Sequence, residues 1–329
     1  MKIAIVGAGA MGSIMGGLLK KSGAEVVLVD PFVAHMEKIK ETGLTLRYLD
    51  GTEEAVGRID TAVDAQGLDK ADFIFVQVKG QFMHGAMENV KKLAKEDTVV
   101  AVLMNGWGAV DIAEQYFDPQ RIVYGPPMYA GKIIEPGIVE VQAIMPNTVS
   151  TVTSFASKTN HPLCIEKVGE ITNLLKKSNI NLPYDKENTE VGIWTKIALN
   201  SIVNAGCSIT RIVIKDWYAQ QDAVELSMKL GEEVCRVANA MQIPVSMEML
   251  HKFCVPYTIG DPETLPLTLN SPHLPSMGVD MRNKKITEVD FINGAVVREG
   301  KKRGVSVPYN ETFYHLVKII ENTYDKQVF

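Results

Sequence analysis

The chain opens Lys2-Ile3-Ala4-Ile5-Val6-Gly7-Ala8-Gly9-Ala10-Met11-Gly12, and the reading of this stretch decides the fold. Ile3 to Val6 is a short continuous apolar run, as expected of a strand buried on both faces. Met11 to Lys21 follows with helical spacing, so the glycines stand on a strand-to-helix turn. A lone G-x-G-x-x-G is weak evidence, but in this context each position has a physical reason. The first glycine makes the tight turn, the second lets the backbone approach a pyrophosphate, and the third packs helix against strand. Free N–H groups at the helix start then face the phosphates. Gly7, Gly9, Ala10, Met11 and Gly12 are therefore read as a dinucleotide-binding turn.

Outward from this turn the pattern repeats. Val26 to Val29 is a second strand, and Asp30 stands at its end, where a carboxylate accepts hydrogen bonds from the adenosine ribose hydroxyls. A carboxylate there also repels a 2′-phosphate, and the following Pro31, Phe32, Val33 and Ala34 include no arginine to bind one. NAD(H) is favoured over NADP(H) on this ground. Strands over 73–78, 99–103 and 122–124 alternate with helices over 34–41, 86–94 and 109–116, which predicts an α/β, doubly wound parallel sheet of Rossmann type. Leu44 to Ile59 reads as an extended excursion with an Asp50-Gly51 turn. Pro136-Gly137 separates two β-rich runs, Met128 to Ile134 and Ile138 to Ile144, expected to pair antiparallel and cap the sheet. A helix near Val168 to Ser178 comes next. The polar, proline-containing segment 181–188 is the expected boundary. It divides a dinucleotide-binding domain, 1–187, from an all-helical substrate domain, 188–329, with helices near 191–209, 222–241, 246–254, 285–303 and 309–323.

Composition removes several classes of function. A length of 329 residues suits two domains, and 46% hydrophobic with 22% charged residues is ordinary for globular cores. The net charge of -5 disfavours nucleic acid, whose phosphates want a basic face. Cys164, Cys207, Cys235 and Cys254 are far apart, with no C-x-x-C pair and no histidine at metal spacing, so no metal site or disulfide framework is expected. No apolar run approaches the ~20 residues that span a bilayer. The N-terminal apolar stretch holds five glycines between Gly7 and Gly17, ends in Lys20-Lys21, and has no cleavage-like site, so a signal peptide is not expected. The expected compartment is the cytoplasm and the expected partner a small molecule. The helical domain is a candidate for homodimer pairing, without an unambiguous seam.

A second informative stretch is Gly192-Ile-Trp-Thr-Lys196-Ile-Ala-Leu-Asn200-Ser-Ile-Val-Asn204. Lys196, Asn200 and Asn204 recur every four residues, and at ~100° per residue they lie along one face of an otherwise apolar helix. Burying such groups unpaired costs several kcal/mol, so they call for polar partners, such as a substrate. Further on stand Ser276-Met-Gly-Val-Asp280-Met-Arg282 and Thr287-Glu288-Val-Asp290-Phe-Ile-Asn293-Gly294.

Taken together, these motifs resemble the ketopantoate reductase (2-dehydropantoate 2-reductase) family over nearly the whole chain. The resemblance rests on the Gly7–Gly12 turn, Val76-Gln-Val78-Lys79, Asn105-Gly106, the Lys196/Asn200/Asn204 helix, Ser276 and Thr287 to Gly294. It implies reduction of a 2-keto acid to a D-2-hydroxy acid, with Lys196 protonating the developing alkoxide and Glu288 close to that lysine and the cofactor. It also implies that Asn200, Asn204 and Ser276 hold the substrate, and that Lys79 and Asn105 line the cofactor cleft. Ketopantoate is the nominal substrate. One alternative is an NAD-dependent D-2-hydroxyacid dehydrogenase acting on branched or aromatic 2-keto acids. Another, of a different class, is a dinucleotide-binding sensor without catalysis. The sequence departs from the family pattern at Pro31, which stands where NADPH users carry arginine. It departs again in the more elaborate 127–155 region, and in the proline-rich 256–275 loop, expected to cover the substrate.

Overall fold

A computed structural model describes residues 1–142, 150–255 and 273–327. The chain divides into two compact units, residues 1–104 with 109–189, and residues 105–108 with 190–329.

The first unit begins with strand β1 (Lys2–Val6), helix α1 (Ala10–Lys21), strand β2 (Glu25–Val29) and helix α2 (Val33–Thr42). Strands β3 (Leu44–Tyr48), β4 (Glu53–Gly57) and β5 (Asp60–Ala62) precede β6 (Ala71–Val76) and helix α3 (Met83–Leu93). The unit continues with β7 (Ala94–Leu103), α4 (Ala109–Ala113), β8 (Ile122–Gly125), β9 (Ala130–Glu135) and β10 (Ile138–Gln142). It closes with β11 (Ser150–Thr151), α5 (Pro162–Leu175) and β12 (Ile180–Asn181). Six strands form one parallel sheet in the order β5-β2-β1-β6-β7-β8, the expected Rossmann-type architecture. The direction of winding reverses between β1 and β6, and the crevice outside their carboxyl ends is where such sheets bind ligands.

The two sequence excursions turn out to be one structure. Residues 44–57 and 130–142 join as a second sheet, β4-β3-β10-β9, in which β9 and β10 pair antiparallel as expected while β10 runs parallel to β3. Helix α1 lies between the two sheets, and its glycines make room on both sides. A β-carbon on Gly16 would come within 2.5 Å of Leu28 from the six-stranded sheet, and one on Gly17 within 3.1 Å of Leu44 from the four-stranded sheet. The glycine-rich composition of this helix therefore follows largely from packing between two layers.

Several expected boundaries shift. The strand expected over 73–78 ends at Val76, because Gln77 and Val78 already belong to the turn over Gly7. The helix expected near 168–178 starts at Pro162, with His161 capping it through Nδ1. Strand β5 and the short pair β11–β12 carry too few residues to stand out as apolar runs.

The second unit is helical throughout its described residues after 190: α6 (Lys186–Thr210, which begins just before the boundary), α7 (Ile214–Tyr218), α8 (Gln221–Ala240), α9 (Met247–Phe253), α10 (Ser276–Arg282), α11 (Asn293–Arg303) and α12 (Pro308–Glu321). The single helix expected over 285–303 is broken. Lys284 takes a left-handed φ of 54° at the end of α10, and the Glu321 carboxylate takes the Thr287 N–H at 2.6 Å. The Asn283, Lys284 and Lys285 N–H groups close the end of α10, a tertiary bond takes the Thr287 N–H, and one 3-10 turn precedes α11. Of the 127–155 region, residues 143–149 lie outside the described residues, as does 256–272 of the proline-rich loop.

A buried polar chain ties the helices together. Glu233 on α8, 1% exposed, accepts the Tyr309 and Asn310 N–H groups at 3.0 and 2.8 Å and so caps α12, whose own N-cap residue, Val307, supplies no side-chain bond. Asn310 Nδ2 also donates to Glu233, and its Oδ1 accepts from Asn293 Nδ2, which reaches the Ser201 carbonyl of α6. A carboxylate at a helix N-terminus is favoured by the free N–H groups and the helix dipole. Glu233→Ala removes the acceptor for three donors, and we expect it to lower unfolding free energy by about 3 kcal/mol or more. Chemical denaturation of the variant checks this; a loss under about 1 kcal/mol would remove Glu233 from its capping role.

Candidate active site

In the first unit the glycine turn separates into two kinds of position. A β-carbon on Gly7, at φ +93°, would lie 2.6 Å from Val78 and 2.7 Å from the Gln77 carbonyl. One on Gly12 would lie 2.2 Å from the Gly7 carbonyl oxygen. These two glycines are obligatory for the fold itself. Gly9 is different, because nothing stands within 4 Å of where its β-carbon would be. Gly9 is also the N-cap of α1, provides no side-chain cap, and leaves the N–H groups of Ala10, Met11 and Gly12 at an uncapped helix start with no acidic residue in the first turn. Open space over an uncapped, electropositive helix end fits a pyrophosphate. The residues present thus suit the dinucleotide expected from sequence.

Asp30 follows β2 and is half-buried, with burial raising its carboxyl pKa. Its Oδ1 accepts the Phe32 N–H at 2.9 Å, so the carboxylate also fixes the turn into α2. Lys79 stands after β6 and begins the 3-10 turn over 80–82. Four side chains to which the sequence reading gave no role adjoin the glycine turn. His35, fully buried, accepts the Gly137 N–H on Nδ1, so its neutral ring donates from Nε2 to Ser13, whose hydroxyl donates to the Ala8 carbonyl. Burial lowers the His35 pKa and keeps the ring neutral. Gln77 donates to the Tyr129 hydroxyl, which reaches the Met11 carbonyl at 3.3 Å. Only Gln77 carried a signal, as a polar residue ending an apolar strand.

In the second unit, Lys196, Asn200 and Asn204 line up along α6 as their spacing requires. Lys196 and Asn200 are half-buried and Asn204 is buried. Desolvation brings the Lys196 pKa down to about 8, and the negative charge of Glu288 holds it from falling further. Glu288 Oε2 in turn accepts from Asn105 Nδ2 at 3.1 Å. Asn105 was expected to line the cofactor cleft; residues 105–108 pack as part of the helical unit. Gly106, at φ +87°, allows this, since a β-carbon there would fall 2.0 Å from the Phe291 carbonyl. The Phe291 oxygen accepts the Trp107 N–H, and Arg298 clasps the Trp107 carbonyl at 3.0 Å. The Trp107 and Trp194 rings stand 5.9 Å apart.

The Thr287-to-Gly294 motif divides into roles. Glu288 faces the lysine. Asp290 accepts from the Tyr314 hydroxyl and Lys318 of α12, Asn293 belongs to the polar chain, and Gly294 gives way to the Tyr314 ring. Ser276 is exposed at the start of α10. Among the described residues no group of three or more ligating side chains could hold a metal, and no helix is long and apolar enough to cross a membrane. All four cysteines are buried and unpaired.

With this geometry in view, comparison with known proteins is direct. Residues 3–153 match the family described as Ketopantoate reductase PanE/ApbA, and residues 188–321 match Ketopantoate reductase PanE/ApbA C terminal. The chain is similar to a 2-dehydropantoate 2-reductase of Lactococcus lactis, 30% identical over 96% of this chain and 97% of that one. It is similar to that of Streptococcus pyogenes serotype M1, 26% identical over the same shares. Among solved structures, a D-mandelate dehydrogenase with NADH and anilino(oxo)acetate superposes with a TM-score of 0.84 at 29% identity, covering 99% of this chain and 100% of that one. Matches along both units, in this order, make the chain a member of the ketopantoate reductase family and an NAD(P)-dependent oxidoreductase.

Proposed function

We propose that the protein reduces a 2-keto acid to a D-2-hydroxy acid, with ketopantoate the nominal substrate, NADH the preferred cofactor and Lys196 the general acid. The observation that carries this reading is a lysine on a largely buried helix, its pKa lowered to about 8, beside the Glu288 carboxylate. When bound, the dinucleotide supplies the hydride. The glycine turn and the N–H groups of Ala10, Met11 and Gly12 would hold its pyrophosphate, Asp30 its adenosine ribose, and Lys79 would line its cleft. Asn105 is assigned to the cofactor by the family resemblance, and its amide donates to Glu288.

As negative charge grows on the substrate carbonyl oxygen, the Lys196 ammonium stabilises it and then gives up a proton. Partial burial lowers the cost of that transfer, since it brings the lysine pKa close to neutrality. Glu288 keeps the ammonium protonated before reaction, and Asn105 holds the Glu288 carboxylate in place. Asn200, Asn204 and Ser276 are assigned to the substrate, with Ser276 at its carboxylate. The four buried thiols suit a reducing compartment, the cytoplasm.

A second reading, a D-2-hydroxyacid dehydrogenase for branched or aromatic 2-keto acids, is supported by the likeness to the D-mandelate dehydrogenase and by Asp30-Pro31. Assays of purified protein with NADH or NADPH and ketopantoate, 2-ketoisocaproate or phenylglyoxylate separate the two. Tight dinucleotide binding without turnover of any 2-keto acid would refute both.

Lys196→Ala is expected to lower kcat at least ~100-fold, the scale of losing a proton donor. Reduction needs the protonated lysine, so kcat/KM should hold below pH about 8 and fall as pH rises through that value. Glu288→Gln removes the charge that raises the lysine pKa and should move this descending limb to lower pH. A limb unmoved in Glu288→Gln, or a Lys196→Ala enzyme within a few-fold of the parent, contradicts the assignment. Asp30→Ala should shift the NADH/NADPH preference towards NADPH by roughly tenfold, the worth of about one charge-assisted contact. An unchanged ratio of the two kcat/KM values takes Asp30 out of cofactor choice.

A further inference from the structure

Glu288 stands on a segment with a single 3-10 turn, so regular helical hydrogen bonding does not fix its place. Backbone over 287–291 lies against the loop 105–108, and the two are joined at successive points. Asn105 Nδ2 donates to Glu288 Oε2 at 3.1 Å. Further along the loop, the Trp107 N–H donates to the Phe291 carbonyl at 2.8 Å. Arg298 of α11 completes the set. Its Nη1 donates to the Asp290 carbonyl at 2.8 Å and its Nη2 to the Trp107 carbonyl at 3.0 Å. Asp290 and Trp107 each lie two residues beyond a partner of the side-chain bond, Glu288 and Asn105. One guanidinium thus spans both stretches of chain that carry that bond.

The loop is shaped for this clasp. A β-carbon on Gly108, at φ +108°, would stand 2.7 Å from Arg298 Nη2, so the missing side chain leaves the slot that the guanidinium fills. Gly106 does the same for the Phe291 carbonyl. The loop also meets α6, where the Trp107 ring stands 5.9 Å from that of Trp194, two residues before Lys196. It therefore touches both the helix that carries the lysine and the segment that carries the carboxylate. Arg298 is exposed, and the Asp290 carboxylate is occupied by Tyr314 and Lys318. A planar fork of donors suits the bridging of two main-chain carbonyls, which a single ammonium holds less rigidly.

We propose that Arg298 is a positioning residue for the reduction: by clasping the Trp107 and Asp290 carbonyls it fixes the Asn105–Glu288 hydrogen bond and, through it, the place of the Glu288 carboxylate beside Lys196. The role rests on the reading of Lys196 as general acid. Arg298 acts through the two backbone segments and not at the reacting atoms. The direction of its effect is diagnostic. A cation acting directly on the lysine would, when removed, raise the lysine pKa. Releasing Glu288 instead weakens the attraction that opposes desolvation, and the pKa falls. Glu288 is the charged group that acts on Lys196, while Asp290, Tyr314 and Lys318 stand together near Arg298.

Arg298→Met keeps the aliphatic stem and removes both donors. Kinetics of the full chain are measured against pH with NADH and whichever of ketopantoate, 2-ketoisocaproate and phenylglyoxylate the parent reduces fastest. The variant should lose about tenfold in kcat on the low-pH plateau, with KM for the keto acid within about twofold. Its descending limb of kcat/KM should move to lower pH by about half a unit. In a Glu288→Gln background the same substitution should move the limb no further, because both changes act on one path. Arg298→Lys should restore part of kcat. Without ligands, the near-ultraviolet circular dichroism of the Trp107–Trp194 pair should change while the far-ultraviolet spectrum does not. The role is overturned if the limb stays in place or moves to higher pH, if kcat remains within about twofold of the parent, or if the limb shifts equally in the Glu288→Gln background. A lower melting temperature with an unmoved limb makes Arg298 a stabilising residue only. Lys196→Ala, assayed alongside, separates the two failures. Near-parent activity there overturns the general-acid reading and this role with it, whereas an inactive Lys196→Ala beside a parent-like Arg298→Met overturns this role alone.

Discussion

Placing a lysine on a helix whose other faces are apolar sets the terms for the rest of the helical unit. An ammonium removed from water loses hydration that the protein must replace, and without replacement the group gives up its proton. Lys196 lies between these limits, with a pKa near 8 set by burial and opposed by Glu288. Glu288 has to be delivered to that position by irregular backbone. Helix 285–303 is therefore broken at the cost of helical hydrogen bonds, and Glu321 and Thr287 supply replacements. The polar chain from Glu233 through Asn310 and Asn293 to the Ser201 carbonyl anchors α6. Much of the unit's buried polar chemistry thus holds one helix in place.

The first unit solves another geometric problem with the same economy of means. A helix between two sheets must bring its axis close to both, and Gly16 and Gly17 allow this on opposite sides. Gly7 and Gly12 close the strand-to-helix turn by backbone contact too tight for any side chain. Only Gly9 is free of such internal demands. Of the glycines in the fingerprint, it is the one whose missing side chain leaves open space for a ligand, while the other two shape the surface that the ligand meets. The buried Ser13–His35 pair stabilises that surface from behind, by fixing the Ala8 carbonyl.

Legibility in the sequence followed the range of the interactions. The parallel sheet, the glycine turn and the lysine–asparagine face were readable because period and spacing within one segment determine them. The joining of residues 44–57 with 130–142 into one sheet was not, since pairing between segments far apart leaves no local mark; each run simply read as extended. The break before α11 was hidden for a related reason: Lys284 to Glu288 has ordinary helical composition, and the bond from distant Glu321 overrides it. Asn105 was legible as a polar residue at a strand end, but its packing with the helical unit depends on Gly106 meeting the Phe291 carbonyl. The Thr287-to-Gly294 motif shows the limit of reading a signature as a site. Most of its residues serve packing and capping, and Glu288 alone bears on the lysine.

Asp30, proposed to bind the ribose, also has a structural duty. Its Oδ1 accepts the Phe32 N–H and so orients the turn before α2, which fixes the carboxylate without consuming Oδ2. Burial raises its pKa, yet the backbone bond works in the opposite sense, so the two effects partly offset. A carboxylate oriented in this way is partly preorganised for the ribose hydroxyls it is proposed to bind, so less rotamer entropy would be lost on binding. Pro31 strengthens the constraint, because its ring fixes φ at the next position and occupies the place from which an arginine could neutralise that phosphate. On the proposed reading, discrimination between the two dinucleotides would come from this charge.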